Sequence, residues 1–434
     1  MTFPVAAIAR ATTLAACALA IASGAVRAQE PVPAQGVRIG LTYASGTRPG
    51  LYILPFRGPN ADSLRAIIAR DLDFGDRILV IAPDSGAPPT GKLNYALYGR
   101  LGAAAVLQVT PTTSGALHVV LHEVGPGRVL QTAELTPKGA PLSPEWRLSV
   151  HAIADEIERW VTGAVGVAAT RILFVRDGTL WQVDSDGQNV QRVPGVASGY
   201  DAAWDPTGKR IAYYEMLDDG THVVLRDLET GGSRRVAGRP GTNISPTFSP
   251  DGKTLVFASG EDEVELYVVP TDGRDRPIPI TVGGFTNSQP SFSPDGRRIA
   301  FTTSRLGHPE IYITDADGTN AELLTTSGFG DQLYRADPAW SPDGRFVAFS
   351  TQIEGRFQIA TISLRDRSVK QQTVDGINEQ PSWAPDARHL VFTSSRSGSR
   401  QLWVLDTESG RMRQLTRGPA SRMAAWSPRL LISR

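Results

Sequence analysis

Apolar positions fall into two patterns along the chain. Up to about residue 165 they recur at helical spacing in two stretches, Leu64, Ile67, Ile68 and Leu72, then Trp146, Val150, Ile153, Ile157 and Trp160. This predicts two amphipathic helices. Asn60 or Asp62 stands where the first would be capped, and Ser143 followed by Pro144 opens the second. Between them, runs at 52–55, 78–81, 104–110, 116–123 and 128–134 read as strands, with a further helix at 93–101. The expectation is an α+β N-terminal domain over 29–165, an ordinary size for one domain.

From residue 170 the pattern becomes a repeat. Its marker is an aromatic residue running into a turn: Trp204-Asp205-Pro206-Thr207-Gly208, then Phe248-Ser249-Pro250-Asp251-Gly252 and Phe292-Ser293-Pro294-Asp295-Gly296. Trp340-Ser341-Pro342-Asp343-Gly344, Trp383-Ala384-Pro385-Asp386-Ala387 and Trp426-Ser427-Pro428 complete the series. Each unit of ~45 residues holds four strand-like pieces, here called A to D, with the marker joining A to B, which is the unit of a β-propeller blade. Strands A end at residues 204, 248, 292, 340, 383 and 426, and strands B begin near 171, 210, 254, 298, 346 and 389. An all-β six-bladed β-propeller over 170–434 follows, in which 423–426 supplies the A strand missing before Ile172 and so removes two free edges. Leu430-Leu431-Ile432 has no place in this scheme and reads as a tail packed on the ring.

The 43 glycines and 31 prolines suit a chain of many short strands and turns. Lys plus Arg and Asp plus Glu number 44 each, a balance that argues against nucleic acid as a partner. The first 28 residues read as an export signal, with Arg10, the small apolar run from Ala11 to Ala22, and Val26-Arg27-Ala28 as the peptidase site before Gln29. Leu14-Ala15-Ala16-Cys17 has the form of a lipidation site, but it stands too close to Arg10 to leave a full apolar stretch. Cys17 is the only cysteine, so cleavage before Gln29 leaves no thiol chemistry. No uninterrupted apolar run of ~18 residues follows residue 30, and a periplasmic location is expected.

The motifs argue for binding rather than catalysis. No Gly-x-Ser-x-Gly elbow occurs, nor a P-loop, nor a Gly-x-Gly-x-x-Gly segment leading from a strand into a helix. His118 and His122 share one strand face but lack a third ligand, and the turns at Asp184-Ser185-Asp186-Gly187 and Asp315-Ala316-Asp317-Gly318 lack the closing Glu of a calcium loop. No cofactor, no metal and no catalytic residue is expected. Recognition falls instead to the loops that vary between blades. The D–A loops carry Thr242 and Asn243; Asn287, Ser288 and Gln289; Tyr334 and Arg335; and Asn378, Glu379 and Gln380. The B–C loops segregate charge, with Asp218, Asp219, Glu261, Asp262 and Glu263 to one side and Arg396 and Arg400 further round.

Several stretches together resemble the TolB family, the periplasmic propellers of the Tol-Pal envelope system. They are Val37-Arg38-Ile39, Ser45-Gly46-Thr47-Arg48-Pro49 leading to Leu54-Pro55-Phe56, Gln108-Val109-Thr110-Pro111 and Thr170-Arg171-Ile172 at the start of the ring. The resemblance implies a non-catalytic scaffold that supports outer-membrane integrity and constriction at cell division. It would bind the lipoprotein Pal on the open propeller face, through the D–A loop residues named above, with other outer-membrane proteins as further partners, and would be peripheral to the membrane through its partners. It also implies a contact of the inner-membrane-anchored TolA with the mature N-terminus, through Gln29, Glu30, Val37, Arg38, Ile39, Gly40 and Leu41. Leu41-Thr42-Tyr43-Ala44 departs from the acidic, glycine-rich beginning of the family, and Ala387 replaces a marker glycine. The alternative is a TolB-like propeller that binds another envelope protein or a glycan. An enzyme with a metal in the central channel is least favoured, because no set of acids repeats at one strand position.

Overall fold

The structure is a computed structural model that describes residues 47–83, 91–112, 114–237, 240–274, 276–325 and 334–430. The export signal, Cys17 and the segment 29–41 lie outside these residues, as do 328–333 of the longest D–A loop.

The first domain is one mixed sheet with two helices on one face. Its elements in order are β1 (Gly50–Ile53), α1 (Ala61–Phe74), β2 (Leu79–Ile81), α2 (Tyr95–Arg100), β3 (Ala105–Pro111), β4 (Leu117–Glu123), β5 (Arg128–Leu135) and α3 (Pro144–Thr162). The sheet order is β2-β1-β3-β4-β5, with β1 parallel to both neighbours and the remaining pairs antiparallel. The two helical stripes read from the sequence meet over Leu51, Ile53, Leu107, Val119 and Leu121 to form one core. Ser143 caps α3 as expected, its Oγ accepting from the Trp146 amide at 3.2 Å, and Gly163 ends that helix at φ +79°. Asn60 stands at the N-cap of α1, but it lies in the left-handed region at φ 56° and makes no side-chain capping bond, and Asp62 is inside the helix. β1 also begins earlier than its hydrophobic run suggests. As the central parallel strand it pairs from Gly50 on, where a Cβ would come within 2.1 Å of the Gly102 carbonyl oxygen.

Six four-stranded antiparallel sheets form the propeller. The A strands are Tyr200–Trp204, Thr242–Phe248, Asn287–Phe292, Arg335–Trp340, Asn378–Trp383 and Arg422–Trp426, numbered here as blades 1 to 6. Each blade packs against neighbours on both faces, which is why its B strand is apolar almost throughout instead of alternating. Phe174, Tyr213, Phe257, Phe301, Phe349 and Phe392 occupy equivalent buried positions in those strands. Blade 6 is built from both chain ends: Ala425 pairs with Leu173 and Trp426 with Ile172. The Trp426 Nε1–H donates to Thr170 Oγ1 at 2.8 Å, and Arg171 and Ser427 exchange bonds beside it. Leu430 follows the link between the domains, its amide donating to the Ala169 carbonyl at 3.0 Å.

The marker turns are self-contained. In blades 2, 3 and 4 the serine hydroxyl donates to the aspartate two residues on, at 2.7, 2.6 and 2.6 Å, and that carboxylate accepts the amide two further on. Gly252, Gly296 and Gly344 then take φ near +70°. Ala387 holds the same conformation at φ 55° without the freedom of glycine.

Candidate partner-docking face

The two ends of the propeller are unlike. Ion pairs from the first domain reach Asp184, Asp186, Asp386, His389 and Arg411, all in or beside the A–B and C–D turns of blades 5 and 6. The B–C and D–A loops emerge at the opposite end, around the mouth of the channel.

That end exposes apolar side chains that the sequence reading missed. Val282 (81% exposed) and Phe285 lie before the A strand of blade 3, with Val374 (68% exposed) and Ile377 before that of blade 5. Met216, Leu217, Leu306 and Tyr334 extend the rim. A signal was present: Thr281-Val282-Gly283-Gly284-Phe285 and Thr373-Val374-Asp375-Gly376-Ile377 share one arrangement, with apolar residues in loops where nothing buries them. Grouped exposed apolar residues of this kind mark interaction sites more often than scattered ones do.

The polar residues nominated from the sequence divide into three groups. Asn243, Asn287 and Asn378 are fully buried and bind their own fold, so they hold the loops and do not present a contact. Asn243 Nδ2 donates to the Thr221 carbonyl at 2.8 Å, Asn287 Nδ2 to Glu265 at 2.7 Å, and Asn378 Nδ2 to Gln358 at 2.8 Å. Thr221, Glu265 and Gln358 stand at or near the start of a C strand. A threonine from the next loop completes the device in blades 2 to 5, where Thr281, Thr325, Thr373 and Thr416 bond Glu265, Glu310, Gln358 and Gln401. In blade 4 the asparagine position is taken by Arg335, whose Nη1 pairs with the fully buried Glu310 at 3.0 Å. Arg335 is therefore also structural, as is Arg396, which stacks on Phe392 and Trp403 and donates to Asn378.

Gln289 and Gln380 form the second group. They line the channel with Asp201, Ser245, Asp337 and Met423, one per blade, and all six have φ between 47° and 59°. In four blades proline follows, which has no amide for the ladder and so forces the break. Two of their side chains join blades, Gln289 bonding Asp337 and Gln380 Oε1 accepting from the Met423 amide at 3.1 Å, while within blade 4 Ser350 Oγ donates to Asp337 Oδ2 at 2.8 Å. The pocket they line has a volume of about 280 Å³. Burial raises Asp337 to about 6 against the bond from Ser350, and the charge of Asp201 adds to the rise. A polar residue before proline in successive A strands was the signal for this ring.

The third group remains at the surface. Tyr334 is exposed, edge-on to Phe357 at 5.2 Å, and Glu379 pairs with Arg400 at 3.2 Å on the rim. Thr242 and Ser288 are half-buried beside the apolar residues, and Asp218, Asp219, Glu261, Asp262 and Glu263 are exposed. The face is thus an apolar rim with an acidic sector, set round a polar channel.

A family model described as the TolB beta propeller domain matches residues 158–428. The Tol-Pal system protein TolB of Methylococcus capsulatus is 33% identical over 247 residues, which is 52% of this chain and 54% of that protein. Its counterpart from Chromobacterium violaceum is 28% identical over 220 residues, 48% of this chain and 51% of that one. The chain therefore spans about half the length of these curated relatives. The crystal structure of TolB from Acinetobacter baumannii aligns with a TM-score of 0.77 at 25% identity, over 88% of this chain and 97% of the other. Six blades closed by the C-terminal strand, a family match over more than half the chain and this structural likeness agree: the chain belongs to the TolB β-propeller family.

Proposed function

We propose that this protein is a non-catalytic periplasmic scaffold of the Tol-Pal system that docks Pal over the loop-bearing face of its propeller. The observation that carries the reading is the apolar rim on the end opposite the first domain. Engagement of TolA through 29–41 belongs to the same proposal and rests on the family resemblance at Val37-Arg38-Ile39. Apolar rim residues that become buried in a complex contribute ~1.5 kcal/mol or more each. Replacing Val282 and Val374 together by serine is therefore expected to weaken Pal binding about tenfold or more, while the melting temperature barely moves. Calorimetric titration of purified Pal against the parent and the double variant measures this. Equal affinities would remove the rim from the interface, and no binding by the parent would favour a different envelope partner.

A further inference from the structure

Two histidines cross the seam between the first domain and the propeller in opposite senses. His151, on α3, has Nδ1 2.6 Å from Asp71 Oδ2 in its own domain and Nε2 3.8 Å from Asp184 Oδ2 in blade 6. His389, in blade 5, has Nδ1 2.8 Å from Asp386 Oδ2 in its own domain and Nε2 3.4 Å from Asp76 Oδ2 in the first. Both imidazoles are buried, with side chains no more than 1% exposed. Each stands between two carboxylates, one from each side. Among the described residues neither His151 Nε2 nor Asp184 Oδ2 makes a hydrogen bond; beside the imidazole, Asp184 Oδ2 has Arg147 Nε at 3.5 Å.

The remaining charges at the seam are also paired, some across it and some within one domain. Around His151, Arg70 of α1 binds Asp186, Arg147 of α3 lies 2.8 Å from Asp186 and 3.5 Å from Asp184, and Arg171 of blade 6 lies 3.2 Å from Asp184. Arg413 of blade 5 covers the Phe74 ring and donates to the Ser185 carbonyl at 3.0 Å. Around His389, Arg77 spans Glu158 of α3 and Asp386, and Arg411 spans Asp73 and Asp76. Arg388 binds Asp406 and Glu408, and Arg48 lies 3.8 Å from Asp76. Arginines already stand beside these carboxylates, and the imidazolium adds a further cation to each cluster. Seams built from ion pairs separate more readily than apolar ones, because both halves are solvated once parted.

We propose that the two imidazolium ions form a reciprocal lock between the domains, which holds them in one arrangement while both histidines carry a proton and releases them when the protons leave. Once the added proton leaves, each neutral imidazole keeps a single N–H and can donate to only one of its two carboxylates, so the charge-assisted link from one domain to the other is lost. Burial alone would lower His151, but Asp71 and Asp184 outweigh it and raise it to about 10. For His389 burial is likewise overcome by Asp386 and Asp76, which raise it to about 9. Both lie above the ordinary 6.5. Their contribution is therefore complete below pH 6.5 and is lost as the pH rises through about 9 to 10.

The test uses the full chain with Cys17→Ala and spin labels at Thr132→Cys and Lys253→Cys, one in each domain. Pulsed dipolar spectroscopy should give one narrow distance at pH 7.5 and a broad distribution at pH 10.5, with circular dichroism unchanged. His151→Gln with His389→Gln should give the broad distribution already at pH 7.5, and nuclear magnetic resonance titration should find two imidazoles protonated well above pH 8. A narrow distance persisting at pH 10.5, or both domains unfolding before it broadens, overturns the lock. So does opening at pH 7.5 on adding EDTA, which would make a metal ion the link. If the double variant does not fold, the pH series on the parent decides alone.

Discussion

Removal of residues 423–434 is expected to abolish cooperative unfolding of the propeller. The deletion takes away most of the strand that pairs with Ile172 and Leu173, together with Trp426, which packs in one cluster with Phe174, Val391 and Leu402. It also exposes the inner edge of blade 6, leaving the ring open at the one place where the chain does not continue from blade to blade. Trp426→Ala alone is expected to cost about 3–5 kcal/mol, the usual range for a buried aromatic truncated to alanine. Since a domain of this kind is stable by only ~5–15 kcal/mol, the deletion removes a large part of what holds the ring. Thermal melts followed by circular dichroism and by tryptophan fluorescence check this. Coincident single transitions at the parent's temperature would mean that the termini do not close the ring.

Arg335→Ala should be nearly as damaging and should leave binding alone. Glu310 is fully buried and pairs with Arg335 at 3.0 Å, with His308 Nε2 also 3.3 Å from its Oε1. Deleting one member of a buried pair strands the other charge, at a cost of about 3–5 kcal/mol. Adding Glu310→Gln removes the stranded charge and should recover much of the loss, since the amide can still accept from Thr325, which now donates at 2.5 Å. Chemical denaturation of the single and double variants measures both effects. A fall in Pal affinity for correctly folded Arg335→Ala, with stability unchanged, would return this arginine to the contact set.

These outcomes turn on what the amino-acid pattern could and could not carry. Blade boundaries were legible because the marker joins three local rules: an aromatic residue that ends strand A, a turn-setting proline, and a glycine or its substitute at positive φ. Each acts within five residues, and the ends of all six A strands match. The loops were harder to read. Asn243, Asn287 and Asn378 look like solvated loop residues, yet their partners lie about 20 positions earlier in the previous hairpin. Polarity alone cannot distinguish a side chain turned inward to such a partner from one offered to solvent. The seam was beyond reach for the same reason carried further, since Asp71 and His151 are 80 residues apart and Asp76 and His389 are 313 apart. In Asp184-Ser185-Asp186-Gly187 a turn was the right expectation, but its role as the anchor of the first domain depends on Arg70 and Arg147, which no local rule connects to it.

The central claim is that a partner seats on the loop-bearing end of the propeller. Hydrogen exchange read by mass spectrometry, on the full chain with and without saturating Pal, tests it most directly because it locates the contact without any substitution. Protection is expected in peptides covering 282–289 and 374–380, with the marker turns at 249–253, 293–297 and 341–345 unchanged. Protection confined to those turns would place the partner on the opposite end and contradict the account.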